Sequence, residues 1–356
     1  MQTIERYVVW NNKGGVGKST ITFHAATRYA EEHPHKQVLV IDLCPQANSS
    51  MMLLGGGTAG EQTVLQLCTE AIPRTVVGYM STVISGGPGA PLPDPFDYAV
   101  QVASVNSNMP QNLGLLCGDG NLEPMAPAVS GAANAPSLTP LVQPWKWVHL
   151  IFRDLVSAFA AKFPQQDIVV FIDTNPSFSI YTELAISAGD KLIVPVNADD
   201  SSRVATNALF ILLHGQVPPH PIYGAWTYAA KAASFGMIVP QIHVIVGNRL
   251  TQYDGAAGAF SALSDATADT LFHAYRANPS YFTPRYVMAQ NINEFRGMFA
   301  VALRDFNTAG VVAAHLGRPI SKLPGGYYPV HGHSIQVNSD RVAECRKAVD
   351  ALISML

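Results

Sequence analysis

Charge is scarce in this sequence: 13% of its 356 residues are Asp, Glu, Lys or Arg, and the formal net charge is −3. No bulk basicity therefore draws the whole molecule onto nucleic acid or an acidic membrane surface, and any polyanion site must be local. The four cysteines, Cys44, Cys68, Cys117 and Cys345, are widely separated and form no CxxC pair. That spacing argues against a zinc ribbon, a disulfide framework or a dithiol redox centre, and fits a reducing cytoplasm. No uninterrupted apolar run is long enough to span a bilayer. The opening MQTIERYVVW passes from charge through a short apolar run straight into a glycine-rich loop, unlike a signal peptide.

What the chain does have is apolar mass. Hydrophobic residues make up 48% of it, enough to fill a substantial core. Five short runs rich in β-branched residues, at 7–10, 38–41, 168–172, 192–196 and 242–246, read as buried parallel strands. Between the first two, residues 19–32 carry Ile21, Ala25, Ala26 and Tyr29 at helical spacing and end near Pro34. This alternation predicts an α/β fold: a doubly wound, mostly parallel sheet flanked by helices, as one domain over 1–356.

Three insertions interrupt that plan, near 80–100, 118–145 and 214–240. The first two are rich in Pro, Gly, Ala, Ser and Asn and read as surface loops or partly mobile insertions, with a strand at 112–116 between them. The third carries aromatic residues and is expected to form a small helical cap. From residue 339 a helix is predicted, capped at Ser339 or Asp340, with Val342, Cys345, Val349, Leu352, Ile353 and Leu356 on one face. Its basic residues Arg341, Arg346 and Lys347 alternate with Asp340, Glu344 and Asp350, so it should pack on the sheet rather than dock on a membrane.

The first strand is followed by Lys13, Gly14, Gly15, Val16, Gly17, Lys18, Ser19 and Thr20. The strict pattern GxxxxGK[ST] fails because Asn12 stands where its first glycine belongs. The core still has what phosphate binding needs. Glycines let successive N–H groups curl around an anion, a lysine reaches the β and γ phosphates, and a hydroxyl, here Ser19, holds Mg2+. Asp42 closes the run VLVID and Asp173 closes IVVFID, the strand ends from which carboxylates hold the magnesium ion or its waters. His331 and His333 lack neighbouring ligands and read as solvated loop residues, and Tyr327 and Tyr328 as packing residues.

Lys13 ahead of the glycines, IDLCPQAN at 41–48 and IDTNPS at 172–177 together resemble the ParA/MinD family of deviant Walker ATPases. KLIVPVNAD at 191–199 and VGNR at 246–249 extend the resemblance over the core strands, and it loosens from Thr251 onward. The resemblance implies an ATPase using ATP and Mg2+. It implies a homodimer in which Lys13 crosses to the partner's nucleotide, adding positive charge where the transition state gathers negative charge. It places Asn248 on adenine and assigns catalysis to Lys13, Lys18 and Asp42. One position departs: the family's second aspartate, which orients the attacking water, is Cys44 here. A neutral thiol is a poor substitute, so hydrolysis is expected to be slow, partner-dependent or absent. Residues 276–356 hold nine Lys or Arg against five Asp or Glu, which suits weak, salt-sensitive DNA contact. The expected function is a ParA-like partition or positioning ATPase that binds DNA non-specifically, joins the nucleoid and answers to a ParB-like or other adaptor. The alternatives are an ATP-gated binding module without useful catalysis and a MinD-like positioning ATPase for a non-DNA cargo.

Overall fold

A computed structural model describes residues 2–137, 142–248, 257–303 and 305–356. Arg249, which closes VGNR, and Arg304, one of the nine basic residues counted above, lie outside the described residues.

Strand β1 (Ile4–Val9) runs into the glycine loop, and α1 (Lys18–Glu32) leaves it. Next come β2 (Gln37–Leu43), α2 (Asn48–Leu53), α3 (Gly57–Thr69) and α4 (Val76–Gly86). The short strands β3 (Val100–Gln101) and β4 (Leu113–Leu116) precede α5 (Leu122–Ala133) and α6 (Pro144–Ala161). Strand and helix then alternate through β5 (Ile168–Thr174), α7 (Ile180–Ala188), β6 (Lys191–Asn197) and α8 (Asp200–His214). After α9 (Tyr228–Ser234) come β7 (Gln241–Asn248), α10 (Ala257–Ala277), α11 (Ile292–Phe299) and β8 (Ala300–Ala302). The chain finishes with α12 (Asn307–His315), the hairpin β9 (Gly326–Val330) and β10 (His333–Val337), and α13 (Ser339–Ile353).

Eight strands form one sheet in the order β3-β4-β2-β5-β1-β6-β7-β8, parallel except for the β3–β4 pair at one edge. The five strands read from the sequence are the five at its centre, β2, β5, β1, β6 and β7. They are buried on both faces, which is why they appear as continuous apolar runs rather than alternating ones. One face carries Val8, Leu39 and Val170 into a core with Phe152, Leu184 and Leu209. The other carries Tyr7, Val40 and Phe171 against Phe23 of α1 and Val349 of α13. Register pairs Asp42 with Asp173, so two buried carboxylates stand side by side at the carboxyl edge of the sheet.

Outside the centre the structure departs from several expectations. Residues 118–145 are not a loop: they contain α5, which buries Leu122, Val129 and Ala133 despite Pro127 inside it. Burial of one apolar face outweighs the weak intrinsic propensity of that composition. Residues 214–240 do hold a small helical element, α9. The C-terminal helix buries Val342, Cys345, Val349, Leu352 and Ile353 as expected, but its cap is Asn338, whose side chain accepts from the N–H groups of Asp340 and Arg341. Tyr327 is 69% exposed, not a packing residue. His331 and Gly332, with φ of 48° and 79°, form the two-residue turn of the β9–β10 hairpin. No helix among the described residues is long and apolar enough to cross a membrane.

Candidate nucleotide site

The phosphate loop is shaped by its glycines. Gly15 and Gly17 have φ of 71° and 85°, a left-handed conformation that side chains disfavour. At Gly17 space decides as well, because a Cβ there would lie 2.3 Å from the Asn248 side-chain nitrogen. Gly17 is also the N-cap of α1 and offers no side-chain cap, so the first N–H groups of that helix point toward the loop mouth with the positive end of its dipole behind them. The loop opens onto a pocket of about 790 Å3 lined by Gly14, Gly15, Gly17, Lys18, Ser19, Thr20, Cys44, Thr174 and Pro176. Val16 is fully buried and anchors the loop from below.

Lys18 is buried, and its Nζ donates to the carbonyl oxygens of Lys13 at 2.9 Å and Asn11 at 3.4 Å. Burial lowers its pKa to about 8, opposed by Asp173 and Cys44. An anion in the loop would restore the full charge. Lys13 takes a different direction. Its ammonium pairs with Asp199 and donates to Ser202 Oγ at 3.3 Å, both at the start of α8 in its own chain. Burial works against the Asp199 charge, yet hydrogen bonds from Lys13, Ser201 and Ser202 hold its pKa at about 2. Asp199 belongs to the run KLIVPVNAD, but nothing in its local sequence names Lys13, 186 residues away, as its partner.

The two strand-end aspartates divide sharply. Asp42 is fully buried, with Oδ1 accepting from the Cys44 N–H and Oδ2 from both the N–H and the hydroxyl of Ser50. It shapes the loop that carries Cys44 and does not line the pocket. The expected catalytic and metal-holding roles of Asp42, directly or through water, meet a carboxylate whose acceptor capacity three donors mostly take up, with Oδ1 accepting only one of them. Asp173 is likewise behind the pocket lining, but its hydrogen bonding differs: Oδ1 accepts from the Thr174 N–H, while Oδ2 is buried with no hydrogen-bond partner among the described residues. Burial and the neighbouring Asp42 charge raise its pKa to about 7, and the Ser19 and Ser49 hydroxyls beside it offset part of that rise. Ser49 Oγ is itself unpartnered among the described residues. An orphaned carboxylate oxygen beside two hydroxyls is the hard-oxygen donor set that Mg2+ takes, and bound metal would remove the desolvation that strains Asp173. Asp173 and Ser19 thus fit the ion.

Cys44 faces the pocket but is only 4% exposed. Burial, with Asp42 and Asp173 nearby, pushes its thiol up to about 12, so it is neutral at physiological pH. Asn248 is buried and its side-chain N–H donates to the Val16 carbonyl at 2.8 Å, clamping the phosphate loop to the end of β7. It does not line the pocket. The pocket's far wall was not legible in the sequence. There His315 of α12 and His331 of the hairpin turn lie with ring centroids 4.8 Å apart and their planes tilted by 56°, and α3 contributes Glu61. His331 is the residue read above as a solvated loop histidine.

Strand, glycine loop, helix N-terminus and buried lysine recur in a known fold. Residues 4–84 match the family model of an AAA domain. The whole chain superposes on the ATP complex of a McdA variant from Cyanothece with a TM-score of 0.57, covering 99% of this chain and 97% of that one at 16% identity. The chain has a P-loop NTPase fold. A putative plasmid partition protein from Borrelia burgdorferi B31, bound to AMPPNP, superposes with a TM-score of 0.52 over 100% of both chains at 13% identity. No curated protein matches the sequence.

Proposed function

We propose that this chain is a ParA-like positioning ATPase that binds Mg-ATP at residues 13–20 and hydrolyses it slowly without a partner. The observation that carries the reading is the preformed phosphate loop opening onto a pocket whose lining includes the neutral thiol of Cys44. Lys18 and the α1 N–H groups bind and orient the phosphates; Ser19 and Asp173 hold Mg2+, which when bound neutralises charge on them. Asp42, the one carboxylate of β2, is engaged by Ser50 and the Cys44 N–H, and the thiol at position 44 is a poor group to orient water. The proteins whose fold it shares were captured with ATP and AMPPNP.

In this reading ATP closes two copies into a sandwich and Lys13 reaches the partner's phosphates. The present Lys13–Asp199 contact is a small obstacle, since the side chains are 18% and 42% exposed and such a pair contributes only about 0–1 kcal/mol. DNA as the surface on which the closed dimer works rests on the likeness to a plasmid partition protein. The basic excess near the C-terminus adds little, because Arg276, Arg285 and Arg346 donate to carbonyl oxygens and Arg296 and Arg341 pair with acids of this chain. ATP-dependent, salt-sensitive retention on non-specific DNA tests that part.

Phosphate release by the pure protein, compared with a Cys44→Asp variant of equal ATP affinity, tests the catalytic part. The variant is expected to turn over roughly 10²-fold faster. Equal rates would defeat the reading of Cys44, and loss of ATP binding in neither the wild type nor a Lys18→Ala variant would defeat the assignment of the loop.

A further inference from the structure

Under α10, at the carboxyl ends of β6, β7 and β8, lies a second cavity of about 250 Å3 that shares no lining residue with the phosphate-loop pocket. Its walls are largely apolar, including Ile245, Leu271 and Phe295, all nearly inaccessible. Two polar side chains of the lining interrupt them. Asn197 Oδ1 and Thr267 Oγ1 are buried atoms, and neither has a hydrogen-bond partner among the described residues. Thr267 is 2% exposed.

The Thr267 hydroxyl is unusual for this molecule. Thr22, Thr27 and Thr206, buried within helices, donate to the carbonyl four residues back, Thr182 donates to one five back, and Thr270 bonds four back on α10 itself. Thr267 forgoes that bond although its helix supplies the same carbonyl. Buried polar groups are nearly always satisfied, so a pair left open in one cavity marks a place where something else supplies the bonds. The charged lining residue Arg296 is already paired with Asp265 at 2.5 Å, so the lining offers no open cation to hold an anion. The volume is below the roughly 300–1,000 Å3 of pockets for drug-sized ligands.

We propose that this cavity is a binding site for a small, uncharged aromatic molecule carrying one N–H or O–H donor, of indole or phenol size. The donor satisfies Asn197 Oδ1, the Thr267 hydroxyl meets the ring's polar edge or π face, and the ring covers Leu271 and Phe295. The site lies close to the nucleotide machinery: the Asn197 N–H donates to Ser202 Oγ at 3.1 Å, the same oxygen that Lys13 reaches. The proposal stands apart from the ATPase reading, since it needs no nucleotide.

Calorimetric titration of the full chain with indole and with 1-methylindole, which lacks the donor, tests it. Indole is expected to bind saturably, and 1-methylindole to bind about 3- to 10-fold more weakly for want of one hydrogen bond. Thr267→Val, close in shape, should weaken indole by a similar factor, and Ala268→Phe, which fills the cavity, should abolish its binding. Absence of saturable indole binding overturns the proposal, as does undiminished binding by the filled variant. A crystal soaked in indole that shows only a water bridging Asn197 and Thr267 overturns it too.

Discussion

Asp42 and Asp173 are neighbours in strand register, and burial raises the pKa of both, but their hydrogen-bond surroundings differ. Three donors from the Cys44–Ser50 loop converge on Asp42, so its carboxylate is structural. Asp42→Ala should lower the unfolding free energy by about 2–3 kcal/mol, because truncation leaves those donors unsatisfied; urea unfolding at pH 7.5 reads it. Asp173 has a folded pKa of about 7, above its ordinary value, so its ionisation favours the unfolded chain as pH rises from about 4 to about 7. Above that window the full penalty applies when no metal is bound. Asp173→Asn should therefore leave the metal-free protein as stable as the wild type or more so at pH 8. It should also remove the magnesium dependence of ATP affinity. A destabilised Asp173→Asn protein would show that its carboxylate is held by contacts other than those described. Sequence alone could place both aspartates at strand ends, yet not tell them apart, because Ser50 of α2 and Gly118 after β4, which close the Asp42 site, come from separate segments.

Among elements, the approach of the α2–α3 turn to the end of α12 fixes the far wall of the nucleotide pocket. Gly56 has φ of 69°, and a Cβ there would lie 2.2 Å from the Gly317 nitrogen and 2.3 Å from the Ala314 carbonyl oxygen. Backbone meets backbone, and no flexible side chain can yield. Gly56→Ala should cost about 3 kcal/mol or more and displace α12 with His315, whereas Gly89→Ala, at φ of 88° but in open space, should cost about 1 kcal/mol. Thermal unfolding of both, with ATP affinity of the first, separates the close approach from the backbone term. The same elements show where the sequence stops being readable. The central strands announce themselves because both faces are buried. The loop between β1 and α1 does so because phosphate geometry dictates its residue types. By contrast β9 and β10 expose much of their surface, α5 is built from Ala, Pro and Gly, and the meeting of Gly56 with Gly317 spans most of the chain. Such contacts depend on how finished elements pack, and no local pattern encodes them.

For the molecule as a whole, the buried histidines set the response to acid. His24 lies in the core of the α1 face, between Phe23 and Phe306, and its Nδ1 accepts from the Ile320 N–H. Burial lowers its pKa to about 3, and burial likewise lowers His214 and His243 to about 4. Each stays neutral in the fold but binds a proton in the unfolded chain below about pH 6.5, so stability rises with pH between those limits and is lost on acidification. Asp173 works in the other direction, since protonation below about pH 7 relieves its penalty. Asp42 and Asp154, which burial also raises, act with Asp173, while Asp199, which hydrogen bonds hold low, acts with the histidines; the histidines' own share is a loss of stability on acidification. Between pH 7 and pH 4.5 His24 alone should account for ~2 kcal/mol of it. Urea unfolding at both pH values should show the wild type markedly weaker in acid and a His24→Gln variant with a flatter profile, even if that variant is less stable throughout. A profile unchanged by the substitution would mean that His24 gains access to water or a proton donor in the fold, and the acid response would then have to come from His214 and His243.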